Sequence, residues 1–166
     1  MKILTILLGA LIAQKGSAAP AEPTDVWDLL RALPIDPTGG GYSHLGDDGV
    51  LRNFDSDLAV VSYLQLTPEQ IQQYISRYPS SVQDHLHEVF DGVDGRDVTD
   101  VEALVNPGPD ILPLLAPGQS VAPAVEIERL TKRACHDYLC SSHTLCWSYS
   151  CTNCGIVDKV IMSYCY

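Results

Sequence analysis

The chain has 166 residues, a hydrophobic fraction of 46% and a formal net charge of −11. This composition fits a globular protein with room for one ordinary domain, or for one small domain and a disulfide-stapled segment. Most of the 21 acidic side chains lie in residues 20–133. Such a surface repels phosphates, and no basic cluster is present to release their counterions, so the sequence predicts no nucleic-acid partner.

The N-terminus is typical of a secretory signal peptide. Lys2 forms a short basic region, residues 3–13 are apolar, and small residues follow at 16–19. The apolar stretch is shorter than the roughly 20 residues that span a bilayer, which argues against a membrane anchor. We predict a signal peptide over residues 1–18 and a secreted, extracellular protein.

Residues 19–105 are predicted to form a small acidic domain of the α+β class, with helices and a β-hairpin. Thr24 can cap a first helix, which ends near Pro34. Residues 36–48 are rich in glycine and predict a connecting loop. The hairpin follows, with strands over 50–54 and 58–66 that are rich in Val, Leu and Tyr.

Two further helices are predicted after the hairpin. Thr67 and Gln70 have the spacing of a capping box, and Pro68 occupies the first helical position. This helix stops at Pro79, and the next one spans residues 81–90.

Two stretches of this domain resemble metal sites only superficially. His85 and His87 lie two positions apart, which places them on different faces of a helix, so we predict solvated histidines. Residues 91–102 are acidic, but Val93 and Gly95 stand where an EF-hand loop needs oxygen ligands. The sequence therefore predicts a solvated acidic turn, no metal site and no cofactor.

Prolines recur over residues 106–124 and predict an extended linker over 106–133. The linker ends at Lys132 and Arg133, the only adjacent pair of basic residues in the chain. A basic pair at the end of an accessible tether suits a processing protease. We therefore predict cleavage after Arg133 and a mature cysteine-rich peptide over residues 134–166.

The cysteines have the spacing C-x4-C-x5-C-x4-C-x2-C-x10-C and all lie in this last segment: Cys135, Cys140, Cys146, Cys151, Cys154 and Cys165. This density in a small secreted segment indicates disulfides, although their pairing stays open. A redox CxxC at Cys151 and Cys154, and a zinc site that adds His136 or His143, are less favoured alternatives. An even number of cysteines leaves none over for nucleophilic catalysis, so no enzyme activity is predicted.

The order of the gaps resembles the inhibitor cystine knot, or knottin, family. The resemblance implies a small disulfide-rich module in which Cys135 pairs with Cys151, Cys140 with Cys154, and Cys146 with Cys165. The layout of signal peptide, acidic pro-region, Lys-Arg pair and cysteine-rich product resembles kexin-processed fungal secreted peptides. Leu130, at the fourth position before the cut, suits a kexin-type protease. This second resemblance implies an effector, a toxin or an antimicrobial.

Aromatic residues of the cysteine-rich segment predict a protein-binding face. A module this small cannot bury all of its apolar residues, and exposed aromatics on a rigid scaffold favour protein recognition. The candidate target-binding residues are Tyr138, Trp147, Tyr149 and Tyr164. The competing interpretation is that Trp147 and Tyr149 only shield the disulfides.

The charge of the segment separates the function classes. Asp137 and Asp158 outnumber Lys159, so attraction to anionic lipids is weak and membrane contact is not favoured. The predicted function is binding to an unidentified extracellular target protein. The alternative is a knottin-type protease inhibitor that acts through residues 141–145 or 164–166.

Overall fold

A five-stranded mixed sheet runs through the structure, a computed structural model that describes residues 25–113, 135–158 and 163–166. Its strands are β1 (Tyr42–Leu45), β2 (Val50–Phe54), β3 (Val60–Gln65), β4 (Cys154–Val157) and β5 (Tyr164–Cys165), in the spatial order β3-β2-β1-β4-β5. The helices are α1 (Val26–Ala32), α2 (Pro68–Ile75), α3 (Ser80–Val89), α4 (Val101–Val105) and α5 (His143–Ser148). Short 3-10 turns span Gly95–Asp97 and Cys135–Asp137.

The sheet joins the N-terminal region, defined here as residues 25–113, to the cysteine-rich segment, residues 134–166. The N-terminal region supplies an antiparallel β3-β2-β1 meander, and the segment supplies an antiparallel β4-β5 pair. The connection is a parallel ladder in which Ser43, His44 and Leu45 pair with residues 155–157. The predicted helices, the hairpin and the disulfide-rich C-terminal region are confirmed.

The predicted loop over residues 36–48 is wrong in its second half, because Tyr42–Leu45 forms the central strand. The strand has only 4 residues and lies between glycines, so it carries no periodic signal of its own. It is specified by its two neighbours, of which β4 lies far along the chain. A Cβ atom on Gly41 would lie 1.9 Å from the Phe54 carbonyl oxygen, so only glycine allows the strand to begin there.

The first face of the sheet is covered by helices. Leu45, Leu51 and Val157 point to this face and pack against the apolar sides of α1, α2 and α3. The buried partners from the helices and the loops beside them are Val26, Trp27, Leu30, Leu66, Ile71, Tyr74, Ile75, Tyr78, Leu86 and Phe90. The N-terminal region and the cysteine-rich segment therefore share one hydrophobic core.

The second face is covered by the disulfides at one end and by α4 at the other. Tyr42, Phe54 and Ile156 pack against the cysteines. Beside them Arg52 is fully buried. Its guanidinium donates to both carboxylate oxygens of Asp48, at 3.1 and 2.7 Å, and to the Leu104 carbonyl oxygen at 3.0 Å. Further bonds go to the Val50 and Ala103 carbonyl oxygens, and a buried charge needs such partners.

The helix boundaries follow local chemistry. The Thr67 side chain accepts from the Gln70 amide and the Gln70 side chain accepts from the Thr67 amide, so the predicted capping box is confirmed. Helix α1 is capped by Asp25, whose carboxylate accepts from the Trp27 amide at 2.9 Å; the predicted cap, Thr24, lies outside the described residues.

The acidic stretch 91–102 is only partly a solvated turn. It contains the 3-10 turn Gly95–Asp97 and the beginning of α4, and Gly95 is buried against Gly49 and Leu66. The predicted signal peptide over 1–18, Lys132, Arg133 and most of the predicted linker lie outside the described residues. Among the residues that are described, no helix is both long and apolar enough to cross a membrane.

Candidate functional site

Three disulfides staple the cysteine-rich segment. They join Cys135 to Cys151, Cys140 to Cys154, and Cys146 to Cys165, with Cα–Cα distances of 5.7, 5.7 and 5.4 Å, all within the ordinary range for this bond. These are the pairs that the knottin resemblance implies. Each bond has both ends between residues 135 and 165, so none of them connects the segment covalently to the N-terminal region.

The disulfide pairs argue against the redox CxxC and the zinc site that the sequence left as alternatives. Cys151 and Cys154 are bonded to different cysteines, so they do not form a CxxC disulfide. The sulfurs of Cys140, Cys146 and Cys165 lie within 4.8 Å of one another. Because all three are held in disulfides, they offer no thiolate to a metal.

The segment docks on the N-terminal region through the first turn of α5. The amides of His143 and Thr144 donate to the carbonyl oxygens of Gly41 and Gly39, both at 3.0 Å. The Thr144 hydroxyl adds a second bond to Gly39 at 2.7 Å. These bonds satisfy two of the amides that a helix N-terminus leaves without intrahelical partners. The predicted inhibitor loop, residues 141–145, includes this docked turn.

A second set of polar contacts lies where β4 ends. The Asp158 amide donates to the Leu45 carbonyl oxygen at 2.9 Å, and His44 Nε2 lies 3.0 Å from the Asp158 carbonyl oxygen. The Asp158 carboxylate lies 2.9 Å from His85 Nε2 on α3. His85 was predicted to be solvated. Its side chain is 54% exposed, but its ring contacts Asp158 of the cysteine-rich segment.

Both buried histidines of this interface are held neutral. Burial lowers the pKa of His44 to about 4 and that of His143 to about 4. His143 Nδ1 accepts from the Cys154 amide at 3.0 Å, which requires an unprotonated nitrogen at that position. Neither role could be predicted from the sequence, because a histidine among polar and small residues is equally compatible with a surface position.

An aromatic cluster forms the third contact between the two parts of the chain. The Tyr166 ring lies 5.4 Å from the ring of Trp27 and 6.1 Å from that of Tyr74, and the Tyr164 ring lies 5.6 Å from that of Tyr78. Stacked and edge-to-face arrangements at these distances are favourable beyond the area that they bury. Burial raises the pKa of the Tyr74, Tyr78 and Tyr166 hydroxyls, so these rings remain neutral.

The predicted target-binding residues fall into two groups. Tyr138 and Tyr149 stack on each other at 4.2 Å and pack against the disulfide cluster. Tyr164 faces the N-terminal region, and one edge of Trp147 lies against Gly39. Trp147 is nevertheless 40% exposed. The structure brings the first pair together but does not unite all four residues in one patch.

A cavity of about 300 Å³ opens at the interface. It is lined from both sides by Trp27, Arg77, Tyr78, Cys135, His136, Tyr164, Cys165 and Tyr166. Arg77 lies over the Trp27 ring at 3.9 Å, a cation–π contact. The sequence could not indicate this cavity, because its walls come from distant parts of the chain.

The similarity of this chain to a known protein covers both parts of the fold. The chain is 31% identical over 172 residues to the Lactobacillus up-regulated protein of Emericella nidulans, and the match covers 97% of this chain and 95% of that protein. The chain belongs to the Lactobacillus up-regulated protein family. The similarity therefore includes the N-terminal region as well as the cysteine-rich segment. No protein-family model and no solved structure matches the chain.

Proposed function

We propose that the chain is a secreted precursor, cut after Arg133 by a kexin-type protease, whose cysteine-rich segment binds an extracellular target protein as an effector, toxin or antimicrobial. The observation that carries the proposal is the position of the disulfides, which all lie between residues 135 and 165. A cut at Lys132 and Arg133 leaves every disulfide within one product. The segment is then a knottin-like scaffold that keeps its own staples.

The outer surface of the segment supports a binding role. Leu139 is 44% exposed and Trp147 is 40% exposed, and Tyr138 and Tyr149 form a separate stacked pair. Exposed apolar residues on a disulfide-fixed backbone lose little entropy when they bind. The name of the relative refers to up-regulation and to no activity, so it does not choose among effector, toxin and antimicrobial.

Mass spectrometry of culture medium tests the processing. The expected result is a product that begins at Ala134 and gains two hydrogens per disulfide on reduction, for three disulfides. A variant with Lys132→Ala and Arg133→Ala should yield only the uncut chain. Uncut product from the natural sequence would contradict the proposal.

A matched pair of variants tests the binding surface. Leu139→Ser removes an exposed apolar side chain from the segment, and Val101→Ser removes one that is 65% exposed on α4. Growth inhibition of bacterial and fungal cells by the processed preparation, which contains both products of the cut, should fall with Leu139→Ser and persist with Val101→Ser. Equal effects of the two variants would argue against recognition through this surface.

The knottin-type protease inhibitor stays a prediction. Residues 141–145 would have to leave their hydrogen bonds to Gly39 and Gly41 before they could enter an active site. Assays of the processed protein against serine proteases and metallo-carboxypeptidases test this alternative, and inhibition of either class would favour it.

A further inference from the structure

We propose that the cysteine-rich segment stays bound to the N-terminal region after the cut, so that the product is a noncovalent two-chain protein in which the N-terminal region covers Tyr164 and one edge of Trp147. This inference rests on the processing proposed above. It identifies the N-terminal region as the segment's first binding partner, ahead of any external target.

Backbone pairing supplies the first part of the argument. Strands β1 and β4 pair along one edge of each, so the removal of β4 would leave both strands with an open edge. The ladder is extended by the Asp158 amide, which donates to Leu45 at 2.9 Å. Buried amides and carbonyls that lose their partners are costly, which disfavours separation.

Apolar burial supplies the second part. Val157 is 1% exposed and Ile156 is 6% exposed, on opposite faces of the sheet. Each face is completed by side chains of the N-terminal region, and the aromatic contacts of Tyr164 and Tyr166 add to the first face. None of these contacts is made by Lys132 or Arg133, so a cut after Arg133 changes the connectivity of the chain and leaves these contacts in place.

Glycines at the contact show how closely the two parts fit. A Cβ atom on Gly155 would lie 2.6 Å from the Tyr74 hydroxyl, and one on Gly39 would lie 2.4 Å from the Trp147 ring. Both distances are shorter than van der Waals contact. The N-terminal region therefore occupies the space that an external target would need at Tyr164 and at the covered edge of Trp147.

Amide hydrogen exchange on the intact chain tests the docking without a cut. The amides of His143, Thr144 and Asp158 donate across the interface and should exchange slowly. The Cys165 amide donates within the segment, to Tyr138 at 3.0 Å, and serves as the internal reference. Fast exchange of the three interface amides beside a protected Cys165 amide would overturn the proposal.

Size-exclusion chromatography of the cut protein tests persistence. Two versions are compared: the natural chain cut by a kexin-type protease, and a chain in which residues 125–133 are replaced by a long recognition sequence for an unrelated protease. The two products should co-elute on a native column and separate on a denaturing, non-reducing gel. Separate elution on the native column would overturn the interface. If the kexin-type protease did not cut the natural chain, the proposed processing would be contradicted. The second version would still test whether the two chains stay bound.

A matched histidine pair measures the polar contact. His85→Ala removes the ring that contacts Asp158, while His87→Ala removes an exposed ring from the same helix. His85→Ala should weaken the affinity between the cut chains about two- to tenfold, the range for the loss of one hydrogen bond, and His87→Ala should not change it. The affinity is read from tryptophan emission on dilution, because each chain then holds one of Trp27 and Trp147. If the two variants bound with equal affinity, the contact between His85 and Asp158 would not hold the two chains together, which would contradict the docking described here.

Discussion

Acidification is expected to destabilise the protein through two buried histidines. His44 and His143 are fully buried, and burial lowers the pKa of each to about 4, below the value of about 6.5 in an unfolded chain. Between these values the unfolded state binds more protons than the folded state. The free energy of unfolding therefore falls as the pH falls from about 6.5 to about 4.

The size of the effect follows from the two pKa values. Each histidine costs about 2 kcal/mol by pH 5 and about 3 kcal/mol by pH 4, relative to neutral pH. By pH 4 the two together cost about 6 kcal/mol, which already lies within the roughly 5–15 kcal/mol that holds a small domain folded. Carboxyl groups such as that of Asp94, whose pKa Arg96 lowers to about 2, lose their contribution only below about pH 4. Between about pH 7 and pH 5 the fall in the free energy of unfolding therefore comes from the histidines.

Urea unfolding at about pH 7, 5 and 4, with disulfides intact, measures this window. His44→Gln and His143→Gln should each remove about half of the pH dependence, whatever they cost at neutral pH. His87→Gln, at an exposed position, should leave the slope unchanged. A full slope in both buried variants, or a wild type with flat stability from pH 7 to 4, would refute the reasoning.

Three further predictions concern stability, and urea unfolding at neutral pH measures each. Asp48→Asn should lower the free energy of unfolding by about 3–5 kcal/mol, because the buried Arg52 guanidinium loses its carboxylate. Replacement of Cys146 and Cys165 together by Ala opens a loop with a sequence separation of 19 and should cost about 3 kcal/mol. Thr67→Ala removes the hydroxyl that caps α2 and should cost about 1 kcal/mol.

Control variants at exposed positions separate these specific effects from the nonspecific effect of a substitution on stability. Asp84→Asn replaces an exposed acid on α3 and Ser81→Ala an exposed hydroxyl on the same helix, and both should stay within about 0.5 kcal/mol of the wild type. If Asp48→Asn matched Asp84→Asn, the guanidinium would not depend on its carboxylate. If Thr67→Ala matched Ser81→Ala, the capping box would not stabilise α2.

Local chemistry made part of the fold predictable from sequence. The capping box at Thr67 and Gln70 fixes where α2 begins, and the apolar strands around residues 55–57 specify a hairpin, because both signals lie within a few residues of one another. The disulfide pairs agree with those implied by the knottin resemblance. For the capping box and the hairpin, the information that decides the structure is contained in a short stretch of chain. The disulfide pairs came from the resemblance instead, because six cysteines allow fifteen pairings.

Strand β1 and the interface were not predictable in the same way. Tyr42–Leu45 is too short to show a period, and its strand identity depends on pairing with both β2 and β4. Tyr164 was predicted as a target-binding residue because a small stapled module was expected to expose its aromatics. Its ring instead packs on Tyr78, a contact between distant residues that no local pattern encodes.

The shared sheet changes the role that an acidic pro-region would have. Charge alone would make residues 25–113 a solubiliser for an apolar peptide, but the ladder between β1 and β4 also pairs their backbone directly with that of the segment. The disulfides close loops within the segment, whereas the burial of Val157 and Tyr164 requires the N-terminal region. Oxidation before docking would have to select the three native pairs without that core. Under the proposed processing, an intact chain brings β4 to β1 first, because a linked partner acts at high effective concentration, and the cut then acts on a segment whose staples are already set.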